Sequence, residues 1–316
     1  MTICVVGDTE DLSCVYFAWA ARRAGHRVLE LNEERLGSTW SFAFGDPPAA
    51  GGVIESDASS VEFADLVGVF ARFAPEPDPP PGIDLDPLAL ERFRAERRTG
   101  LHQLLDRLPC PVANRPSAGR SNGSKPLHMG MLAAAGFRVP PWIVSNERAR
   151  VVAFVESCAE PPIYKAVCGL RSRVRRLDDT LLKRLEDGTS PVLVQAYVPG
   201  IDVRVHVADR VCLGTAVRGL GVDYRFDGSR SYEAKEVPVA VARLCRDVAR
   251  QEGLVLAGFD FRVCEDEWFC LEVNPMPSFI PYQWATGQPI AETVLQAFTS
   301  RAPNGTCTGG TTSAPT

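Results

Sequence analysis

The chain has 316 residues, 45% of them from the hydrophobic set and 23% charged, with a formal net charge of −5 and an isoelectric point near 5.5. At about 100 to 200 residues per domain, this length builds two domains or one large multi-lobed body with an ample core. The acidic balance lacks the basic footprint expected of a nucleic-acid or anionic-membrane partner, and no apolar run approaches the roughly 18 residues of a membrane span.

The first strand-like segment, 3–6, follows Met1 and Thr2 with no leader-like stretch before it, which reads as a cytoplasmic protein. A helix over 12–24 comes next, stopped by Gly25, then strands over 26–31 and 66–70. This alternation predicts a small parallel α/β sheet. The opening turn VVGDTEDL has Gly7 but no GxGxxG, so it predicts no dinucleotide site. Ten cysteines, at 4, 14, 110, 158, 168, 212, 245, 264, 270 and 307, include no CxxC pair and read as reduced, mostly buried small apolar side chains.

Six prolines between 75 and 87 make a stiff loop or linker. A helix over 88–108 follows, and turn chemistry in CPVANRPSAGRSNGSK sets a boundary near 115, closing an N-terminal α/β domain over 1–115. A second helix, 125–135, ends at Gly136. From Pro162 the chain is β-rich, interrupted by a helix over 239–252, and the arrangement expected is two α+β lobes around mainly antiparallel strands, 116–301. The Gly/Thr/Pro-rich tail 302–316 reads as disordered.

The chemistry concentrates in two strands, 256–263 and 268–274. Alternation puts Phe259, Phe261 and Val263 on one face of the first, with Gly258, Asp260 and Arg262 on the other; in the second, Phe269, Leu271 and Val273 oppose Cys270, Glu272 and Asn274. A three-residue loop of Glu265, Asp266 and Glu267 pairs Gly258 with Asn274, Asp260 with Glu272 and Arg262 with Cys270. Two carboxylates then stand about 4.5 to 5.5 Å apart at Cβ, and their repulsion, roughly 4 kcal/mol at an effective dielectric near 20, would be reversed by a divalent cation. Two carboxylates and an amide oxygen suit Mg²⁺ or Mn²⁺; the competing reading is a solvated acidic face neutralised by Arg262. Lysine is also scarce: of 34 basic residues only Lys125, Lys165, Lys183 and Lys235 are lysine, so each retained ammonium is a candidate for a task that needs one.

LAGFDFR and FCLEVNPMPS resemble the metal-binding end of the ATP-grasp superfamily, closest to the RimK-like carboxylate–amine ligases, some of which modify peptides. Three further segments match in order. YKAV is similar to the strand whose lysine, here Lys165, binds phosphates. VLVQAYVPGIDVRVHV resembles the adenine hinge, Gln195, Ala196, Tyr197 and Val198, followed by the ribose acid, Asp202. SNGSKPLHMGMLAAAGFRVP resembles the helix entrance that supplies a nucleotide lysine, Lys125. The resemblance, which spans about 110–298, implies an ATP-grasp fold with an N-terminal α/β domain, a central lid lobe over 116–190 and a C-terminal antiparallel lobe over 191–301. It also implies ATP with Mg²⁺ or Mn²⁺ at Asp260, Glu272 and Asn274, a carboxylate substrate and an amine co-substrate, a peptide among the candidates, no nucleic acid or membrane partner, and a homo-oligomer as one assembly compatible with the family. The reaction implied is amide formation through an acyl phosphate, with a kinase or a non-catalytic ATP-binding protein as alternatives.

Two departures stand out. Where relatives carry a glycine-rich loop after the Lys165 strand, this chain has CGLRSRVRR, in which Arg171 is assigned to phosphate and Arg175 and Arg176 read equally as a solvated strand. The hinge has Ala196 where an acid is common. Arg204 shares a strand face with Asp202 and is assigned to catalysis with Arg218 and Arg262, whereas His206 reads as a supporting histidine rather than a general base. Arg225 divides between a substrate anion and a surface loop, and the Tyr16, Phe17 and Trp19 cluster reads as core.

Overall fold

A computed structural model describes residues 1–45, 51–73, 79, 83–165, 167, 174–178, 182, 190–219 and 230–300. Most of the proline segment, Arg171 and its neighbours, Lys183, Arg225 and the tail lie outside the described residues. In chain order the N-terminal part runs β1 (Thr2–Gly7), α1 (Leu12–Arg23), β2 (Arg27–Asn32), β3 (Trp40–Phe44), β4 (Gly52–Ser56), β5 (Ser59–Glu62), β6 (Leu66–Arg72), α2 (Pro87–Arg107) and β7 (Val112–Ala113). The expected parallel sheet is present in the order β2-β1-β6-β7. Asp11 caps α1 by accepting the Ser13 N–H at 2.7 Å, while Arg22 and Arg23 complement the dipole in the last turn. Residues 40–62, expected only as part of the α/β alternation, instead form the antiparallel meander β3-β4-β5. Its strands are too short to show a period, and they exist because Trp40, Ile54 and Val61 pack with Leu101, Leu104 and Leu105 of α2.

The central part comprises α3 (Lys125–Ala134), β8 (Trp142–Ser145), α4 (Arg148–Glu156), β9 (Ile163–Lys165), β10 (Arg175–Arg176) and β11 (Val192–Gln195). Its strands form an antiparallel sheet, β10-β9-β11-β8, over a small core of Val151, Leu177, Val192 and Val194. The C-terminal part comprises β12 (Ile201–Ala208), β13 (Val211–Arg218), β14 (Ser231–Lys235), α5 (Val239–Gln251), β15 (Leu256–Cys264), β16 (Glu267–Asn274), α6 (Ile280–Thr286) and α7 (Ile290–Ser300). Five antiparallel strands lie in the order β14-β13-β12-β15-β16. The apolar face of β12 and β15, Val203, Val205, Val207, Phe259, Phe261 and Val263, packs with Cys245 and Val248 of α5 and Leu132 of α3. The opposite face is polar. No helix among the described residues is long and apolar enough to cross a membrane.

The last helix returns to the first sheet. Ile290, Val294 and Phe298 share a core with Ile3, Phe17 and Phe70, and a Cβ on Gly68 would fall 2.2 Å from the Phe298 ring, so β6 needs glycine where that ring seats. Of the aromatic cluster on α1, Phe17 is wholly buried whereas Trp19 is 47% exposed. Because Phe298 closes one core over both ends of the chain, Phe298→Ala is expected to lower the unfolding free energy by about 3 to 5 kcal/mol. Urea titration measures this, and a loss below about 1 kcal/mol would show that α7 is dispensable to the N-terminal sheet.

Candidate functional site

The polar face of the five-stranded sheet starts from cross-strand pairing. Against β12, β15 places Arg262 opposite Asp202, Asp260 opposite Arg204 and Gly258 opposite His206. The first two pairs become ion pairs of 2.6 Å each, Arg262 Nη1 to Asp202 Oδ2 and Arg204 Nη1 to Asp260 Oδ1, with side chains between 7% and 16% exposed. Gly258 is a steric requirement here. A Cβ on it would stand 2.9 Å from the Arg204 guanidinium carbon, and the Gly258 carbonyl accepts from Arg204 Nη1 at 3.3 Å.

On the other side, β15 pairs with β16, and the expected register holds only in part. Cys264 pairs with Glu267, leaving a two-residue turn, Glu265 and Asp266, with Glu265 at φ +55°, instead of the expected three-residue loop. Arg262 consequently faces Phe269, not Cys270. A bulge at Leu271 then moves the register by one, so that Asp260 still faces Glu272 and Gly258 still faces Asn274. The two-residue turn changes the expected faces on the loop side of the bulge: Cys270 enters the core, while Phe269 turns out beneath the Arg138 guanidinium, 5.5 Å from its ring centroid. Val273, beyond the bulge, lies in the core as expected. Without the bulge, Glu272 would point away from Asp260.

The three expected metal ligands are thus carried to one end of one hairpin. Asp260 shares Oδ1 with Arg204, and Asn274 Oδ1 accepts the Met276 N–H at 2.9 Å; each oxygen keeps a second lone pair for a cation. The arginine that offsets the acidic pair is Arg204, not Arg262. Among the described residues no group of three or more His, Cys, Asp and Glu forms a self-sufficient metal site. Two carboxylates and one amide therefore fit a hard ion that takes its remaining ligands from phosphate oxygens.

The segment expected as the hinge is tied to the same face. Arg262 donates from Nε to the Val198 carbonyl at 3.0 Å and from Nη2 to the Tyr197 hydroxyl at 2.7 Å, so its donors hold residues 197–198 in place. Ala196 N–H donates to the Pro141 carbonyl. Gln195 is fully buried, lies between β8 and β9, and accepts from Lys165 Nζ at 2.7 Å, which holds that ammonium at the end of β9. Arg176 lies 3.5 Å over the Tyr197 ring, a stacking role in place of the solvated strand or phosphate clamp read from sequence. The Lys125 N–H reaches the Val167 carbonyl at 3.3 Å, joining α3 to the strand of Lys165. Arg218 is exposed at the rim, 3.4 Å from Glu233.

Two buried histidines, His128 and His206, support this face. His128 accepts the Val273 N–H at Nε2, 2.8 Å away, and burial lowers its imidazole while the Glu272 carboxylate partly offsets this. His206 contacts the Ser278 carbonyl through Nε2 at 3.2 Å and is fully buried. The only signal for His128 was its position in the Lys125 segment. A cavity of about 660 Å³ opens at the carboxyl ends of β1 and β6, where the strand order reverses, between Asp8, Arg72, Arg98 and His102 on one side and Pro275 and Met276 on the other.

No family model and no curated protein matches the chain by sequence. Solved structures do. An ATP-grasp ligase, PsnB, complexed with a phosphomimetic variant of its minimal precursor, Mg and ADP, superposes with a TM-score of 0.79 at 25% identity, covering 95% of this chain and 98% of that one. The chain has the ATP-grasp fold. The macrocyclase MdnC from Microcystis aeruginosa, bound with its precursor peptide MdnA, shares the ligase's fold at a TM-score of 0.79 and 17% identity over 95% of this chain and 100% of that one. A RimK domain ATP-grasp protein from Sphaerobacter thermophilus gives 0.57 at 18% identity, over 95% and 100%. The ATP-grasp resemblance read from the five motif segments is borne out in the fold.

Acid should weaken the folded chain through His206. Burial first, and then the Arg204 guanidinium, push its imidazole down to about 3. The unfolded chain takes up a proton near pH 6.5 that the folded chain refuses, so this residue costs nothing above pH 6.5 and destabilises progressively below it, by about 1.4 kcal/mol per pH unit. Between pH 6.5 and 5 the unfolding free energy is expected to fall about 2 kcal/mol further in the native chain than in His206→Gln. Equal pH slopes in urea titrations of the two proteins would remove His206 from the account.

Proposed function

We propose that the chain is an ATP-dependent carboxylate–amine ligase working through an acyl phosphate, with a peptide as its carboxylate substrate. The observation that carries this reading is the bulged hairpin, which sets Asp260 and Glu272 opposite each other beside Arg204. The solved neighbours support the peptide, since PsnB is complexed with a minimal precursor and MdnC with a precursor peptide.

In this reading the lid lobe, 116–190, and the C-terminal lobe, 191–301, hold ATP between them. Backbone groups of Ala196 to Val198 receive adenine, Asp202 the ribose, and Lys125, Lys165 and Arg171 the phosphates. Gln195 and Arg262 are positioning residues, one for Lys165 and one for the hinge. Asp260, Glu272 and Asn274 would hold Mg²⁺ or Mn²⁺, which when bound neutralises phosphate charge and orients the transferred group. A substrate carboxylate oxygen attacks the γ-phosphorus, the bond to the bridging oxygen breaks, and ADP leaves. Arg204 and Arg218 stabilise the acyl phosphate. An amine nitrogen then attacks the acyl carbon, inorganic phosphate departs, and the nitrogen loses a proton to solvent. The cavity between Arg72 and Met276 is the approach for the peptide, since Met276 lies two residues beyond Asn274.

Two measurements test this. With Mg-ATP and peptides bearing aspartate or glutamate side chains, hydroxylamine should intercept the acyl phosphate and give a hydroxamate with equimolar ADP. Release of AMP would overturn the mechanism, and a stable phosphomonoester without hydroxamate would make the protein a kinase. Separately, Glu272→Gln should lower ADP formation by about 100-fold or more, beyond the 10- to 100-fold typical of losing a group that supports a ligand. Full turnover by this variant at ordinary Mg²⁺ would remove Glu272 from the metal set.

A further inference from the structure

β16 is the outer strand of its sheet, with one edge paired to β15. Two of its backbone N–H groups point outward to partners in the segment that carries Lys125. Cys270 N–H donates to the Arg138 carbonyl at 2.8 Å and Val273 N–H to His128 Nε2 at 2.8 Å. Along an unbroken strand the outward amides recur at every second residue. From 270 to 273 is an odd step, so both can point outward only because the bulge at Leu271 contributes one unpaired residue between them. In a strand without the bulge, Val273 N–H would turn toward β15 and Glu272 would leave the face of Asp260.

We infer that His128 is a positioning residue that locks the bulged register of β16 and thereby keeps Glu272 opposite Asp260. Its imidazole is 4% exposed, and because Nε2 accepts a backbone hydrogen bond the proton sits on Nδ1. That proton is donated to Ser121 Oγ at 2.9 Å, and the Ser121 hydroxyl donates onward to Glu252 at 3.3 Å, which orients the ring for a single task. His128 stands one helical turn beyond Lys125 on α3, whose own N–H is bonded to Val167 beyond Lys165. One short helix therefore sets the phosphate-strand end and the carboxylate hairpin relative to each other. The consequence for metal binding rests on the reading of Asp260 and Glu272 given above, whereas the lock on the register does not.

The test compares the full chain with His128→Leu, which removes the acceptor, and His128→Gln, which keeps one near the position of Nε2. Amide exchange at Val273 is read by NMR, and Mn²⁺ affinity in the presence of ADP by electron paramagnetic resonance. His128→Leu is expected to exchange Val273 about tenfold faster or more and to bind Mn²⁺ about tenfold more weakly, while His128→Gln keeps both near the native values and adenosine binds all three alike. Native-like protection at Val273 in His128→Leu overturns the inference. So does fast exchange in His128→Gln, which would make the site one of packing alone, and so does faster exchange with unchanged Mn²⁺ affinity. Should His128→Leu not fold, His128→Gln decides alone, slow exchange upholding the lock and fast exchange overturning it. Failure of the native chain to bind Mn²⁺ would refute the metal reading itself, and Val273 exchange would still decide the lock.

Discussion

Two ion pairs withdrawn from water, Asp202 with Arg262 and Arg204 with Asp260, cross between β12 and β15, and the geometry of the cleft depends on them. Such pairs add little net stability, because desolvating four charges offsets most of their attraction, yet removing one partner costs about 3 to 5 kcal/mol by stranding the other. Their effect is positional. Arg262 extends from Asp202 to Tyr197 and Val198, and Arg204 extends from Asp260 to the Gly258 backbone. The segment after β11 and the carboxylate end of β15 are thereby referenced to the same two strands.

A second set of polar crosspieces joins the N-terminal sheet to the hairpin. Asn114, just past β7, accepts from the N–H groups of Val255 and Leu256 and donates to the carbonyls of Leu256 and Pro275. Arg72, at the end of β6, binds Asp11 and the Met276 carbonyl. Asp11 would be raised by its burial, but the Arg72 hydrogen bond and charge outweigh that and hold its carboxyl below the ordinary range. The walls of the cavity beside Asn274 are therefore held from both sides, and the core of α1, β6 and α7 braces them from behind.

Much of this was legible in residue order because it obeys local periods. Alternation in 202–207 and 258–263 put the polar and apolar faces of β12 and β15 where they lie, since a strand shows its faces every second residue regardless of what it meets. Helix stops at Gly25 and Gly136 carried information of the same local kind. The meander at 40–62 and the return of α7 were not legible, because short strands and a helix at the far end of the chain acquire their faces only from the partners that bury them.

The hairpin of β15 and β16 separates what each level decided. Residue order placed Asp260, Glu272 and Asn274 on one hairpin and set the first two opposite each other. Tertiary structure decided how that opposition is reached: a two-residue turn fixes one register near the loop, and a bulge at Leu271, with His128 and Arg138 on the outer edge, restores another at the carboxylates. It also decided that Arg204 neutralises Asp260 while Arg262 reaches Asp202, Tyr197 and Val198, because ion pairing follows which strand lies alongside. Period-2 alternation reports the face of a residue but not a skipped residue or a neighbouring strand, and both depend on contacts distant in the chain.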